Sequence, residues 1–148
     1  MPIADAPAQP PAPAHHAQAR WDHVERGVFR AINRVRSRNG LPRLRLVYPI
    51  TFMAKLHSLD LARHNRLSHS STNGTPFYSR IRHVADARVV GETIIAYRGR
   101  NTGRRIVRAW MRSPSHRREL LAGSYRRVGV GRAGARGLTV VTADFASS

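Results

Sequence analysis

The stretch from residue 127 to residue 145 constrains the fold more than any other part of the chain. It reads RVGVGR, then AGARG, then LTVVTADF. Val recurs in both arms, joined by Thr in the second, and glycines at 134 and 137 mark the turn between them. This pattern predicts an antiparallel hairpin with strands at 127–132 and 138–145. A lone hairpin is marginal in water, so the preceding residues must supply layers that cover it.

Those residues read mainly as helices. Val24, Val28, Ile32 and Val35 recur at helical spacing, which predicts an amphipathic helix over 22–39, stopped by Asn39-Gly40. Leu41-Pro42 opens an extended segment. Pro49 suits a first helical turn, and ITFMAKLHSLDLARHN predicts a second helix over 50–65. Thr75 is the expected cap of a short helix through Phe77 and Ile81, and Thr102 that of a fourth helix carrying Ile106, Val107 and Trp110. Pro114 is expected to end it, with a further helical turn over 115–121. Helices first and a hairpin last predict an α+β fold, a three-layer α-β-α sandwich.

Composition narrows the function classes. Of 148 residues, 41% are hydrophobic, enough for one core and one domain. Cysteine is absent, which excludes disulfide staples, Cys-ligated zinc and a thiol nucleophile. The sequence has no apolar run long enough for a transmembrane helix. Residues 1–20 are rich in Ala, Pro and Gln and predict a disordered leader before a domain over 21–148. The leader carries no intact signal peptide. Ala4-Asp5-Ala6 has the form of a cleavage site and equally suits an ordinary Pro-rich tail.

Lys and Arg number 26 against 8 Asp and Glu, for a net charge of +18, and Lys55 is the only lysine. Such a field attracts anionic surfaces nonspecifically. Arginines cluster at 34–45, 98–108 and 117–127 with few aromatics between them. They read as solvated faces whose stems cover the core, and no sequence-specific nucleic-acid partner is expected.

Glu92, within VVGETII, is the most informative single residue. An acid there is either buried, and then needs a His, Arg or backbone donor, or points into solvent from a strand end. Gly91 before it suggests close backbone approach or a special dihedral. His57, Asp60 and His64 share one helical face. They form either a metal or proton-relay face or a set of local pairs, Asp60 with His57 or Arg63; the local pairing is preferred. There is no GxSxG and no phosphate-binding loop. The glycines at 129, 131 and 134 mimic part of a dinucleotide fingerprint, but strands flank them and no helix follows.

Several motifs follow one another in order: INRVRSRNGLPRLRL, HSLDLA, LSHSS with NGTPF, GETI, AWMRSPSHRRELL, RRVGVG and TADF. Together they resemble the CAP superfamily of cysteine-rich secretory, antigen and pathogenesis-related proteins, and its bacterial cysteine-free SCP or YkwD-like branch most of all. The resemblance covers 25–146. It implies an α-β-α sandwich with a mostly antiparallel central sheet, and an extracytoplasmic bacterial location. It also implies a cleft holding His69, Glu92 and His116, with His69 and His116 as ligands of a divalent ion such as zinc and Glu92 as a candidate base. A polar cluster without metal is the alternative. His57 and Ser113 are expected to line the cleft. Ser113 stands where many relatives carry a second acid, and Thr93, Ser115 and Ala143 also depart from the pattern. The implied function is a binding or effector module taking a lipid, peptide or glycan. Alternatives are a metal-assisted hydrolase of cell-wall or protein substrate and a nonspecific basic nucleic-acid binder.

Overall fold

The computed structural model describes residues 21–148; the expected disordered leader lies outside the described residues. Helix α1 (His23–Arg38) starts at a capping box: Asp22 accepts from the Glu25 backbone N–H at 2.8 Å and Glu25 accepts from that of Asp22 at 2.9 Å. Two-residue strand β1 (Arg45–Leu46) follows, then α2 (Tyr48–Arg63) and α3 (Phe77–Val84). After strand β2 (Val90–Arg98) come α4 (Gly103–Arg112) and α5 (Pro114–Leu120), then β3 (Tyr125–Ala135) and β4 (Leu138–Ser147).

The sheet order is β1-β3-β4-β2, with β1 parallel to β3 and the other pairs antiparallel. The mostly antiparallel sandwich is therefore the fold. Val128, Val130, Val141, Ala143 and Phe145 cover one face of the sheet and pack on Val28, Ile32, Ile106, Trp110 and Leu120 of α1, α4 and α5. The opposite face carries α2 and α3, through Ile50, Leu61 and Ile81. The indole N–H of Trp110 donates to the Ile94 carbonyl at 3.2 Å, tying α4 to β2.

Several boundaries move for identifiable reasons. Helix α2 begins two residues earlier than the apolar run, with Val47 as N-cap and Pro49 in its first turn. Pro76, not Thr75, is the N-cap of α3, and no side chain caps it; the Thr75 carbonyl instead closes a turn by accepting from the Ser71 N–H. Thr102 does cap α4, accepting from the Arg105 N–H at 3.3 Å. Pro114 opens α5 rather than merely ending α4, because a first-turn proline gives up no helical bond. Strand β3 runs on to Ala135. The hairpin turn is the two-residue Arg136-Gly137, both at positive φ, whose twist matches the strands.

Two features set the thickness of the α2 layer. Gly129 and Gly131 of β3 lie directly against the backbone of α2 at Ile50, Thr51, Ala54 and Lys55. Small α2 residues, Thr51, Ala54 and Ser58, are buried at this contact. The Ser58 hydroxyl donates to the Gly131 carbonyl at 2.8 Å. Not every arginine in the clusters is solvated, either. Arg36 is fully buried and donates to the carbonyls of Pro42, Leu120, Ala122 and Tyr125, joining α1 to the loop before β3. Charge on a buried guanidinium is tolerated where carbonyls satisfy its donors.

A methyl group added at Gly129 or Gly131 would overlap the α2 backbone, which no rotamer change can relieve. Gly129→Ala and Gly131→Ala are each expected to lose about 3 kcal/mol or more in urea unfolding. Gly134→Ala meets its nearest atom at 3.5 Å, and its change should stay within about 0.5 kcal/mol.

Candidate functional site

Strand β2 is an edge strand, so both helical layers can reach around it. The 64–76 segment arrives from the α2 side and α5 from the other. Between them lies a cavity of about 140 Å³ lined by His69, Phe77, Glu92, Ser115, His116 and Glu119. Gly91 makes room for its floor. The Tyr125 hydroxyl donates to Glu119 at 2.6 Å, and this pair occupies the space that a side chain at position 91 would fill. Close backbone approach at Gly91, expected from the sequence, is thus what brings α5 onto the edge strand.

Glu92 is the hub. It is buried, and each carboxylate oxygen has its own donor: His69 Nδ1 reaches Oε1 at 2.8 Å and the Arg80 guanidinium bonds Oε2. Arg80, buried on α3, also donates to the His69 carbonyl at 2.9 Å, so it holds both ends of the His69–Glu92 pair. A carboxylate on Nδ1–H fixes the imidazole tautomer and leaves Nε2 as the lone-pair nitrogen. Burial pushes the Glu92 carboxyl up to about 7 against the opposing pull of Arg80.

Directly across the ladder from Glu92 stands Asp144 of β4, fully buried. Among the described residues neither Asp144 oxygen meets a hydrogen-bond donor, and the carboxyl beside it is that of Glu92. Two carboxylates bond to each other only through a shared proton. That proton belongs on Asp144, because Arg80 and His69 already serve both Glu92 oxygens. Burial first, then the adjacent Glu92 charge, raise the Asp144 carboxyl well above its ordinary range. One net negative charge then faces one buried guanidinium.

The other expected site residues are placed as follows. His57 does not line the cavity; it lies behind Glu92, 1% exposed, with Nε2 donating to the Ser68 carbonyl at 2.9 Å and standing 3.8 Å from Glu92 Oε1. Burial, then the nearby Arg80 charge, lower its pKa to about 4, so it is neutral at pH 7. Ser113 is not a lining residue either; it occupies the joint between α4 and α5, its hydroxyl 3.4 Å from that of Ser115. Asp60 accepts from the backbone and hydroxyl of Thr72 and lies 3.2 Å from His64, rather than pairing with His57 or Arg63. His116 sits at the cavity wall, its pKa lowered first by burial and then by the neighbouring His69.

Sequence reasoning missed Arg80, Glu119 and Asp144. For Asp144 a signal existed: an acid inside the apolar run LTVVTADF makes the same demand as the acid inside VVGETII. As for metal, no three His, Cys, Asp or Glu side chains among the described residues are arranged to hold an ion. The donor set fits at most a two-imidazole site open to water or ligand, not a closed structural centre.

The acid pair predicts a pH dependence. The two carboxyls hold their shared proton more tightly when folded than when unfolded, both being raised, Glu92 from 4.5 to about 7. The Glu92 contribution to stability is therefore present below about 4.5 and is lost as pH rises through about 7. His57 acts oppositely: its folded value of about 4 lies below the ordinary 6.5, so its contribution is lost as pH falls from 6.5 towards 4. Asp144→Asn supplies an amide donor to Glu92 without a second ionisable group. Urea unfolding across this range should show the variant gaining stability relative to wild type as pH rises, by on the order of 2 kcal/mol at pH 8. Parallel pH profiles for the two proteins would contradict the shared proton.

Residues 29–145 match the cysteine-rich secretory protein (CAP) family. The chain is 31% identical over 108 residues to the YkwD protein of Bacillus subtilis strain 168, covering 72% of this chain and 41% of that protein. An extracellular SCP-domain protein of Bacillus anthracis superposes with TM-score 0.71 at 28% identity, covering 84% of this chain and 40% of the other. An outer surface protein of Borrelia burgdorferi gives TM-score 0.72 at 21% identity, covering 80% and 88%. The chain thus spans about two fifths of the length of the two Bacillus relatives. With the ordered motifs, the sandwich and the match over 29–145, the chain belongs to the cysteine-rich secretory protein family and carries its CAP domain.

Proposed function

We propose that this CAP domain is an extracytoplasmic binding module whose cleft at the β2 edge takes a small ligand, with His69 and His116 able to share a divalent ion such as zinc. The observation that carries this reading is the Arg80–Glu92–His69 chain. It spends both Glu92 oxygens on positioning and leaves His69 Nε2 as a donor atom on a cavity shared with His116. In this reading Glu92 acts through His69, as the outer partner of a ligating imidazole does. The hydrolase reading asks Glu92 to be a free base, and a fully engaged carboxylate with a buried side chain suits that role less. A bound ion would supply Lewis acidity for a ligand carboxylate, carbonyl or phosphate; the peptide, lipid and glycan classes all offer such a group. Extracytoplasmic placement rests on the relatives, described as an extracellular protein and an outer surface protein. The +18 charge adds a nonspecific attraction to anionic surfaces, nucleic acid among them, that fades with salt.

Calorimetric titration with zinc tests the cleft. We expect weak, exchangeable binding that His69→Ala and His116→Ala each abolish, and that Glu92→Gln weakens by about 10–100-fold without abolishing it. His57→Ala should leave the zinc isotherm nearly unchanged. Zinc heats that survive both histidine substitutions would remove the metal from the proposal, and a zinc-silent wild type would leave a metal-free binding cleft.

A further inference from the structure

A second concave site lies away from the cleft, between α1 and α4. The two helices touch backbone to backbone at Gly27 and Gly103, where a side chain at 103 would overlap the α1 main chain. From this contact a cavity of about 580 Å³ continues into one of about 240 Å³, the two sharing Ala31, Arg34, Arg104 and Arg108. Arg30, Arg34 and Arg38 line it from α1, and Arg104, Arg105 and Arg108 from α4. Ala31, Val35, Val107 and Met111 supply apolar lining in the smaller part. Among the described residues no acid lines either cavity. Asp22 and Glu25, at the start of α1, are held by Arg132 and Lys55. Among the described residues none of these six guanidinium groups has a hydrogen-bond or ion-pair partner. By contrast Arg36, on the same helix, is saturated by carbonyls.

We propose that this groove binds a linear phosphodiester polyanion, gripping its backbone between the two arginine rows. The spacing favours a repeating ligand: Arg30, Arg34 and Arg38, like Arg104 and Arg108, stand four residues apart, about 6 Å along each helix. An extended chain of phosphates presents a charge on every repeat at a commensurate interval. Chemistry separates phosphate from carboxylate. A phosphodiester turns its two free oxygens towards opposite walls, so guanidinium groups of α1 and α4 can bond the same phosphate. A carboxylate keeps its acceptor lone pairs in one plane, so it meets two facing walls of forks less well than a tetrahedral phosphate does. The rest of the polymer is not read through stacking, because among the described residues no Phe, Tyr or Trp lines either cavity. Recognition is therefore of the backbone, whatever sugar or polyol joins the phosphates, and it uses none of the cleft residues.

The test is fluorescence anisotropy with a short labelled abasic deoxyribose-phosphate oligomer, measured over a salt series. Arg34→Gln/Arg108→Gln removes one arginine from each wall; Arg63→Gln/Arg66→Gln removes the same charge from exposed positions at and beyond the end of α2. The groove pair is expected to weaken binding by about tenfold or more and to lower the log–log salt slope by roughly 1.4, about 0.7 per phosphate contact. The control pair should change affinity by less than about twofold, and His69→Ala should not change it, which separates this site from the cleft. If the glutamine pair proves unstable on melting, Arg34→Lys/Arg108→Lys keeps both charges and loses both forks, and should still bind more weakly than the control. Equal losses in groove and control pairs would overturn the proposal in favour of a diffuse field. Tighter groove-dependent binding of a polyglutamate peptide, or of anionic phospholipid vesicles, than of the oligomer would overturn it in favour of those partners.

Discussion

Much of the structure follows from how closely α2 lies on β3. Gly129 and Gly131 present bare backbone to Ile50, Thr51, Ala54 and Lys55, so the helix sits nearer the sheet than side chains would allow. On that face the register aligns Gly129 with Asp144 and Glu92, and Gly131 with Thr142 and Ile94. The two acids therefore emerge beneath a close-packed helix, where water is excluded and desolvation must be answered by hydrogen bonds. His57, one turn beyond Ala54, is carried to the back of Glu92 by the same packing. Loosening the glycine contact would hydrate the acids and release the segment that bears His69.

A buried group of this kind is held together by charge balance rather than by net stability. Replacing a buried ion pair with well-packed apolar residues is often neutral or stabilising, so the Arg80–Glu92 pair is better understood as a positioning device. Arg80 is the buried cation facing two buried carboxyls, both raised above their ordinary range, and His57 beside them is neutral at pH 7. Remove Arg80 and the Glu92 charge loses its compensation, His69 loses the donor on its carbonyl, and the cleft loses its fixed imidazole together. Remove the Asp144 proton instead, and two like charges meet across one rung of the ladder. The geometry at His69 is thus set by groups that do not touch the cavity, which is why a residue list confined to its wall understates the site.

The fold was largely legible in the sequence because its signals are local. The helical recurrence of Val28 and Ile32, the Thr102 cap and the apolar arms of the hairpin each act within a few residues. The boundary errors were local as well: Pro76 outcompeted Thr75, and a proline read as a terminator served as an initiator. Glu92 stood out because a carboxylate in an apolar strand needs a partner, but the partner's identity depends on register and on α3, neither of which periodicity supplies. Arg80 looked like one of 25 arginines on a solvated surface, and Arg36 likewise. Asp144 obeyed the same rule as Glu92 and was passed over among the motif letters TADF. The convergence of His69 with His116 came from the ordered motifs, since nothing in their spacing joins residues from two layers across an edge strand.

Arginine identity alone does not say what an arginine does here; its partners do. Arg36 and Arg80 are structural cations, held by carbonyls and by a carboxylate. Arg132 and Arg127 are tied to Asp22 and to the carbonyls of Ser147 and Asp86. Seven of the eight acids lie in the described residues, and the best-placed of them, Glu25 and Glu92, are buried and already committed. With so few acids, most of the surface arginines have nothing of their own protein to pair with, and mutual repulsion should disperse them evenly. Between α1 and α4 they are instead brought together on two facing rows. The Gly27–Gly103 contact draws the helices close enough to concentrate that charge in one concavity, against a self-repulsion that only an anion can relieve.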